Sequence, residues 1–264
     1  MDPILVSDAG PIRTITLNRP EFRNALSPAM QYALIAALDD AAAARSVRVV
    51  VITGAGSAFC AGLDLSALKR VEMVQETSSP EAKELADNTH RFSRILRTIY
   101  ELPKPTIAAV NGHAIAGGTG IATVCDFTLA IPEAKFGYTE VKIGFVPAVV
   151  SVYLSMQVGE RRARELLLTG RLFTAEYAHR LGLVTEVVEP ADLMARVHVL
   201  AETLIANSPT SLQDTKALLA DQHREWLDRG IEMSLTASVE SRRTPDFLEG
   251  ITAFLEKRKP EWEE

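Results

Sequence analysis

The stretch "NGHAIAGGTGIA", residues 111–122, gives the first indication of how this chain folds. Gly117, Gly118 and Gly120 fall within four positions, between a strand-like apolar run and a second apolar segment. Glycine weakens the interior of strands and helices, so this cluster indicates a special role for the backbone. Two explanations are open: a close packing contact, or main-chain N–H groups that face a ligand. Because Gly117 and Gly118 would precede a helix, their N–H groups would favour an anion.

A second glycine loop lies in "ITGAGSAFCAGLDL", residues 52–65, after another apolar strand pattern. The dinucleotide-binding frame that starts at Gly54 fails, because its third glycine position is Phe59. An NAD-dependent dehydrogenase is therefore a weak alternative. The other interpretation is that Gly62 lets the chain turn so that the N–H of Leu63 points inward. Two N–H donors from separate loops would form an oxyanion hole, in which one donor stabilises a developing negative charge by about 3–4 kcal/mol.

The third candidate element is "EAKFGYTEVKIGFVP", residues 133–147. Glu140 lies there among Phe, Val, Ile and Gly residues, which would raise the pKa of its carboxyl group and prepare it for proton transfer. The alternative is a glutamate at a strand end that pairs with Lys135 or Lys142. The residues alone leave both interpretations open.

Composition is that of a globular protein, with 264 residues, 47% hydrophobic and 23% charged. The net charge of −6 argues against general nucleic-acid binding. Cys60 and Cys125 lack a CxxC spacing, and the five histidines lack an HxxxH spacing. We therefore expect a reducing, cytoplasmic location and no metal site. Neither a signal peptide nor an apolar run long enough for a bilayer is found, so no membrane association is expected.

Alternating strand and helix patterns predict an α/β fold. A hairpin is expected near the N-terminus, a helix after Ser27, and buried strands at residues 47–54, 106–112 and 127–131. Residues 66–100 have a mostly helical pattern with a break at residues 77–80, which we interpret as a mobile loop. We divide the chain into a core, residues 1–190, and a C-terminal helical region, residues 191–264.

These motifs, in this order, resemble the enoyl-CoA hydratase/isomerase (crotonase) superfamily. The resemblance covers essentially the whole chain, through "LNRPEFRNALS" (17–27), "FCAGLDL" (59–65), "KPTIAAVNGHAIAGGTGIATVCDFTLA" (104–130), "AKFGYTEVKIGFVP" (134–147), "ARELLLTGRLFTAEYAHRLGLVTEVV" (163–188) and "EGITAFLEKRKP" (249–260). It implies a spiral of strand–strand–helix units with a C-terminal helical trimerisation region, assembled as a homotrimer or a dimer of trimers. The implied partner is an acyl-CoA thioester, and no separate cofactor is expected, since coenzyme A belongs to the substrate.

By position, the resemblance implies that the backbone N–H groups of Leu63 and Gly117 hold the thioester oxygen and that Glu140 is the acid/base. In "RNAL", Arg23 matches a contact to the CoA phosphates. In the last segment, Phe254 and Lys257 match positions that close over the acyl-CoA. The candidate substrate-binding residues are Arg23, Ala25, Ala61, Asp64, Gly118, Gly120, Tyr138, Phe254 and Lys257. For Tyr138, packing is the alternative, and for Asp64 it is capping of the following helix.

Gly120 is where this sequence departs from the two-glutamate hydratases of the family, which carry a carboxylate at that position. Two carboxylates hold and activate the water that adds to a 2-enoyl-CoA, whereas moving a double bond from C3 to C2 needs one. Enoyl-CoA hydratase is our leading prediction, and a Δ3,Δ2-enoyl-CoA isomerase that uses Glu140 alone is the alternative. A non-catalytic acyl-CoA-binding protein is a further possibility.

Overall fold

The computed structural model describes residues 2–65 and 80–262. The strands are β1 (Ile4–Ala9), β2 (Ile12–Leu17), β3 (Val49–Gly54), β4 (Ala58–Cys60), β5 (Thr106–Val110), β6 (His113–Ile115), β7 (Phe127–Ala130), β8 (Lys135–Gly137), β9 (Phe173–Thr174) and β10 (Glu186–Val187). The helices are α1 (Pro28–Ala43), α2 (Pro80–Glu101), α3 (Gly117–Val124), α4 (Ala148–Thr169), α5 (Ala175–Arg180), α6 (Leu193–Ile205), α7 (Pro209–Gln222), α8 (Arg224–Ser241) and α9 (Pro245–Glu256). The predicted loop at residues 77–80 lies outside the described residues except for Pro80, which begins α2.

The strands form two sheets. One has six strands in the order β1-β2-β3-β5-β7-β10, and the other has four in the order β4-β6-β8-β9. In the first sheet only the β1–β2 hairpin is antiparallel, which agrees with the hairpin predicted near the N-terminus. In the second sheet β4, β6 and β8 are parallel, and β9 pairs antiparallel with β8.

From β3 to β8, successive strands alternate between the two sheets, which produces a spiral. β3 joins the six-stranded sheet, β4 joins the four-stranded sheet, and α2 follows. The unit is repeated by β5, β6 and α3, and again by β7, β8 and α4. The predicted spiral of strand–strand–helix units is therefore confirmed. Because the parallel strands of one sheet share a direction, the loops after β4 and β6 come to the same edge of the four-stranded sheet.

The central strands β3 and β5 of the six-stranded sheet are buried on both faces, as their apolar sequences predict. In β3, Val50 and Ile52 point into the larger core, whereas Val49 and Val51 point to the opposite face and pack against α6. This alternation is the two-residue period of a strand.

Helix starts agree with their sequence signals. Ser27, Ser208 and Thr244 each accept a hydrogen bond from the backbone N–H three residues later, at the N-termini of α1, α7 and α9, and each is followed by proline. From Leu193 to Glu256 the described elements are all helices. Of these, α8 packs against α4 and α2, and α9 packs against the 3-10 turn at Glu140–Ile143.

Candidate active site

In the loop after β4, the backbone N–H of Leu63 points away from the segment with which the loop pairs. Leu63 forms an isolated parallel bridge with Leu26, in which Gly62 O accepts from Leu26 N at 2.8 Å and Asp64 N donates to Leu26 O at 3.3 Å. Since successive backbone groups of an extended chain point to opposite sides, the N–H of Leu63 points away from Leu26. Gly62 has φ +87°, a left-handed conformation that glycine adopts without strain. The predicted turn at Gly62 is therefore present.

The loop after β6 places a second donor. Gly117 is the first residue of α3, and the N–H groups of a helix's first turn have no acceptor within the helix. The preceding residue, Ala116, has φ 50° and ψ −118°, a rare conformation for a residue with a side chain. Its N–H donates to Gly137 O at 2.7 Å, which ties this conformation to β8. The backbone of Ala116 thus sets the direction of the Gly117 N–H.

The two loops touch each other. A Cβ atom on Gly62 would lie 3.2 Å from Gly117 N and 2.9 Å from Ile115 O. Leu63 and Gly117 both line a cavity of about 140 Å³, a size comparable to engineered cavities that hold benzene. The geometry brings together the two donors that the sequence suggested for an oxyanion hole.

Gly118 has a different role from Gly117. A Cβ on Gly118 would lie 2.2 Å from Cys60 O and 2.8 Å from Cys60 Cβ, so glycine is needed for α3 to approach β4. Gly118 is fully buried and does not line the cavity among the described residues. This corrects its assignment as a substrate contact. The packing explanation of the glycine cluster holds at Gly118, and the N–H group that faces a ligand stays a prediction for Gly117.

Glu140 begins the 3-10 turn and lines the same cavity. Its side chain is buried, and burial raises the pKa of the carboxyl group to about 7. Among the described residues, no hydrogen-bond partner reaches Oε2, and neither Lys135 nor Lys142 forms an ion pair with Glu140. The ion-pair alternative therefore has no support in the structure. One carboxyl oxygen faces a cavity at which a proton could be exchanged.

The space beside Gly120 is filled by apolar side chains. A Cβ built on Gly120 would lie 2.6 Å from Val150 Cγ1, 3.5 Å from a Phe92 ring carbon and 3.7 Å from Leu96 Cδ1. Gly120 itself is buried and is not among the described residues that line the cavity. Its assignment as a substrate contact is corrected: it is a packing position, at which no second carboxylate stands.

Tyr138 is also a packing residue. It is fully buried, its hydroxyl lies 2.7 Å from Thr123 Oγ1, and its ring packs near Phe173. The hydroxyl is thus engaged inside the core, and burial raises its pKa. This corrects the prediction that Tyr138 contacts substrate.

The segment before α1 forms hydrogen bonds with the loop after β4. Arg23 is exposed, and its carbonyl accepts from Ala61 N at 3.0 Å. Arg19 donates to Ala25 O at 2.7 Å and to the Asp64 carboxylate at 3.0 Å. Through Arg19, Asp64 therefore links the "RNAL" segment to the loop after β4. The helix that Asp64 was predicted to cap would follow Leu65, outside the described residues. Of these candidate substrate contacts, Ala61 lines the cavity.

The C-terminal candidates lie at the cavity's outer side. Phe254 lines the cavity and remains 56% exposed. Lys257 follows α9 in a left-handed conformation and is exposed to solvent. The structure thus brings Phe254 to the cavity and leaves Lys257 at the surface.

Four polar residues of the cavity wall were not identified from the sequence, namely Thr139 beside Glu140 and three that lie far from Glu140 along the chain. Thr89 comes from α2, Ser238 from α8, and Arg242 from the residue that follows α8. The three distant residues carry no local motif, and two helices nearly 150 residues apart must pack together before their side chains meet. An amphipathic pattern could place them on a buried face, but it could not place them beside Glu140.

The described part of the chain was also searched for metal sites and for membrane-spanning helices. Within residues 2–65 and 80–262, no group of three His, Cys, Asp or Glu side chains could hold a metal ion. In the same part of the chain, no helix has both the length and the apolar character that crossing a membrane requires.

Comparisons with known proteins agree with the geometry. The family model described as enoyl-CoA hydratase/isomerase matches residues 8–264. A Thermus thermophilus protein, provisionally named an enoyl-CoA hydratase, is 46% identical over 96% of this chain and 98% of its own length. The crotonyl-CoA hydratase of Syntrophomonas wolfei is 34% identical over 97% of this chain and 96% of its own length. A solved enoyl-CoA hydratase from Mycobacterium avium is 35% identical, with a TM-score of 0.86 and complete coverage of both chains.

Proposed function

Since this chain belongs to the enoyl-CoA hydratase/isomerase family, we propose that it adds water reversibly to the double bond of a 2-enoyl-CoA, with Leu63, Gly117 and Glu140 as its catalytic groups. The observation that carries the proposal is the convergence of three groups on one cavity: the backbone N–H of Leu63, the backbone N–H of Gly117 and the buried carboxyl of Glu140. An acyl-CoA thioester is the partner, and the reaction uses no further cofactor.

The two N–H groups stabilise the charge that develops on the thioester oxygen. When a water oxygen bonds to C3, electrons move from the C2–C3 double bond through C2 to the thioester oxygen, and an enolate forms. Donors fixed by the backbone are already oriented for this charge and need no rearrangement, which is the basis of oxyanion-hole catalysis. The cavity is largely apolar, so each donor interacts more strongly than it would in water.

Glu140 moves the proton. In its ionised form the carboxylate accepts a proton from the water as the water oxygen bonds to C3, and it then returns that proton to C2 of the enolate. The pKa of about 7 suits a group that must both accept and donate a proton near neutral pH. Because addition begins from the ionised form, kcat/KM for hydration should rise with pH through about 7 and level off above it.

A second activity is favoured by one specific observation. Val150, Phe92 and Leu96 fill the space beside Gly120, so Glu140 has no carboxylate partner there to help hold the water. A single carboxylate can take a proton from C2 of a 3-enoyl-CoA and return it at C4, which moves the double bond to C2. Δ3,Δ2-enoyl-CoA isomerisation is therefore the alternative activity of the same three groups.

One pair of assays tests both activities. Loss of the enoyl absorbance of crotonyl-CoA follows hydration, and conversion of a 3-enoyl-CoA into the 2-enoyl isomer follows isomerisation. Replacing Glu140 with Gln should lower the relevant kcat about 100- to 10,000-fold, the usual contribution of a general acid–base. Glu133→Gln is the matched control, since Glu133 is exposed seven residues earlier and should leave kcat unchanged.

The outcomes separate the alternatives. Hydration that depends on Glu140 supports the hydratase proposal, and isomerisation without hydration assigns the chain to the alternative. Binding of acyl-CoA with neither reaction would leave a non-catalytic acyl-CoA-binding protein.

We further propose that the chain acts in the cytoplasm as a homotrimer or a dimer of trimers. Support for the assembly comes from apolar side chains that α7 and α8 expose, namely Leu218, Leu219, Trp226 and Met233. Support for the location comes from Cys60 and Cys125, which are buried free thiols. Light scattering coupled to size exclusion would give the mass of the assembly.

A further inference from the structure

The catalytic groups of the proposed active site come from different elements of the fold. Gly117 begins α3, whereas Glu140 begins the 3-10 turn that follows β8. Proton transfer requires the Glu140 carboxyl to lie at a fixed distance from a substrate whose oxygen is held at Gly117. A displacement of about 1 Å can lower a rate about 100-fold. The contacts between α3 and the segment before Glu140 therefore bear directly on the rate.

The side chain of Thr119 supplies one of these contacts. Thr119 is buried in the first turn of α3, two residues after Gly117. Its hydroxyl has one proton, and of two carbonyl oxygens within reach Ala114 O is the nearer, at 2.6 Å, and Gly137 O lies at 3.1 Å. The same hydroxyl oxygen accepts from Gly137 N at 3.1 Å. A single hydroxyl thus joins α3 to β6 and to the end of β8, three residues before Glu140.

The N–H and the carbonyl of Gly137 are both bonded to residues beside Gly117. The carbonyl accepts from Ala116 N at 2.7 Å, and the N–H donates to the Thr119 hydroxyl. Ala116 immediately precedes Gly117, and Thr119 follows it by two residues. Because the two bonds hold Gly137 from two directions, the end of β8 is fixed relative to the Gly117 N–H.

A second contact lies one helical turn further along α3. Thr123 Oγ1 donates to Thr119 O at 2.8 Å, so its one proton is used there. The Tyr138 hydroxyl, 2.7 Å from Thr123 Oγ1, is therefore the donor of the bond between them. Side chains four positions apart share a helix face, so Thr119 and Thr123 bond to the consecutive residues Gly137 and Tyr138. All of these hydroxyls are buried, where no water replaces a bond that is lost.

We propose that the hydroxyls of Thr119, Thr123 and Tyr138 fix the distance between the oxyanion hole and the acid–base carboxyl. The inference rests on the proposed function, since it assumes that Gly117 and Glu140 act on one bound thioester. The three are positioning residues, because none of them occurs among the described residues that line the cavity. They act through the backbone that leads to Glu140.

Thr119→Val tests the inference, because valine has a similar shape and leaves the Gly137 N–H without its acceptor. The Glu140-dependent reaction should lose about 10- to 100-fold in kcat, and Kd for the saturated butanoyl-CoA should stay within about threefold. Thr119→Ser carries the same donor and acceptor and should keep kcat within about threefold of the wild-type value. Tyr138→Phe removes the more distant bond and should lower kcat a few-fold.

Thr128→Val is the matched control. Thr128 is also buried, and its hydroxyl donates to Ala122 O at 2.9 Å, near the other end of α3. This variant should lower the unfolding midpoint about as much as Thr119→Val does and should leave kcat unchanged. Thermal unfolding identifies a variant that fails to fold. If Thr119→Val is such a variant, Tyr138→Phe takes its place in the comparisons that follow.

A double-variant cycle separates positioning from a merely structural role. If Thr119 acts by placing Glu140, Thr119→Val should lower kcat much less in a Glu140→Gln background than in the wild type, since the proton-transfer group is already lost. An equal loss in both backgrounds would overturn the inference, because the hydroxyl would then act on the oxyanion hole or on the fold. A serine variant as slow as the valine variant would overturn it too.

The inference and the proposed function fail in different ways. Wild-type kcat in Thr119→Val, together with a large loss in Glu140→Gln, would overturn the inference and leave the proposed function intact. A loss in Thr128→Val that equals the loss in Thr119→Val would have the same meaning. If Glu140→Gln itself leaves kcat unchanged, the proposed function fails, and the inference that rests on it fails as well.

Discussion

The cavity has two unlike walls. The backbone wall consists of the N–H groups of Leu63 and Gly117 and the glycine contacts that hold their loops together. The side-chain wall consists of Glu140, Val150 and the polar side chains of Thr89, Ser238 and Arg242. Under the proposed function, the backbone wall binds the thioester oxygen, which every acyl-CoA presents in the same form. Under the same proposal, the side-chain wall contacts the acyl group and transfers the proton, and these differ from one substrate and reaction to another.

The two walls differ in how readily a single substitution can change the groups that they present to the cavity. Moving an N–H of the backbone wall requires moving a strand or a helix, because the loops are in van der Waals contact with β4 and α3. A group of the side-chain wall can be exchanged by a single substitution, as the glycine at position 120 illustrates. We therefore expect substitutions in the backbone wall to affect stability and every substrate, and those in the side-chain wall to affect the type of reaction and the choice of substrate.

Gly118→Ala should have the largest effect on stability, because it disrupts a packing contact of the backbone wall. The new Cβ would lie 2.2 Å from Cys60 O, a backbone atom that can move only together with β4. We expect a loss of about 4 kcal/mol in the free energy of unfolding, in the exceptional range for single substitutions. Any folded enzyme should lose activity on all substrates alike. Chemical denaturation measures the first effect, and initial rates measure the second.

Gly182→Ala is the control for that experiment. Gly182 has φ +79°, and among the described residues no atom beyond its chain neighbours lies within 4 Å of the place that a Cβ would occupy. Alanine there adds backbone strain without a clash, so it should cost about 1 kcal/mol. Equal stability of the two variants would show that the contact between α3 and β4 is softer than the distances indicate.

The backbone wall is also the part that could be predicted from the sequence. Gly62, Gly117 and Gly118 each serve a contact within a short loop, so glycine spacing after two strand patterns was enough to suggest the paired donors. Glu140 could be proposed because its neighbours along the chain are apolar. These signals are local, and the structure brings Leu63, Gly117 and Glu140 to one cavity.

The side-chain wall could not be predicted in the same way. Val150 fills the space beside Gly120 from another helix, 30 positions later, so the sequence shows the missing carboxylate but not what replaces it. Arg242 follows Glu140 by about one hundred residues and joins it only through the packing of α8 on α2 and α4. Tyr138 was assigned to the substrate because it is near Glu140 in sequence, whereas its side chain points into the core.

Glu140→Gln should have the next largest effect on stability, and the effect should depend on pH. The folded-state pKa of Glu140 is raised from 4.5 to about 7 by burial. Stability associated with the neutral carboxyl is therefore fully present below pH 4.5 and is lost as the pH rises to about 7. Glutamine stays neutral throughout, so its stability relative to wild type should increase by about 3 kcal/mol across this window.

Urea unfolding at pH 4.5 and pH 8 measures this difference. Glu133→Gln, at an exposed position, should show no such change and serves as the control. If the gap between Glu140→Gln and wild type is the same at both pH values, the carboxyl group of Glu140 is not titrating in this window. A gap that grows at pH 8 means that the enzyme retains a destabilising carboxylate for its chemistry.

Gly120→Glu should place a second carboxylate at position 120, at a cost of about 2 kcal/mol in the free energy of unfolding. The cost arises because a Cβ would lie 2.6 Å from Val150 Cγ1. Adding Val150→Ala should recover part of the stability, since contacting residues couple in such cycles. With a second carboxylate in place, the double variant should raise the ratio of hydration to isomerisation.

Gly120→Glu combined with Val152→Ala is the matched control for the double variant. Val152 lies on the same helix but contacts Gly230, so shortening it makes no room at position 120. The same recovery in both double variants would contradict the assignment of Val150 as the residue that closes this space. The reaction ratio is obtained from the hydration and isomerisation assays run in parallel.

Ala116→Gly should have the smallest effect on stability and should raise it. Ala116 adopts φ 50° and ψ −118°, a conformation that costs a residue with a side chain about 1–3 kcal/mol, and glycine adopts it freely. Part of this gain is offset by the greater freedom of glycine in the unfolded chain, so the net gain should be about 1 kcal/mol. Ala114→Gly, in the adjacent strand β6, should instead destabilise the protein, because Ala114 has no positive φ to relieve.

The same substitution shows what the strained residue does for catalysis. The side chain of Ala116 limits the backbone conformations that would turn the Gly117 N–H away from the cavity, and glycine removes that limit. Ala116→Gly should therefore lower kcat/KM a few-fold, equally for a short and a longer 2-enoyl-CoA substrate, while the unfolding midpoint rises. A fall that differs between the two substrates would show that position 116 also acts on the acyl group, and the division between the backbone wall and the side-chain wall would then fail at this residue.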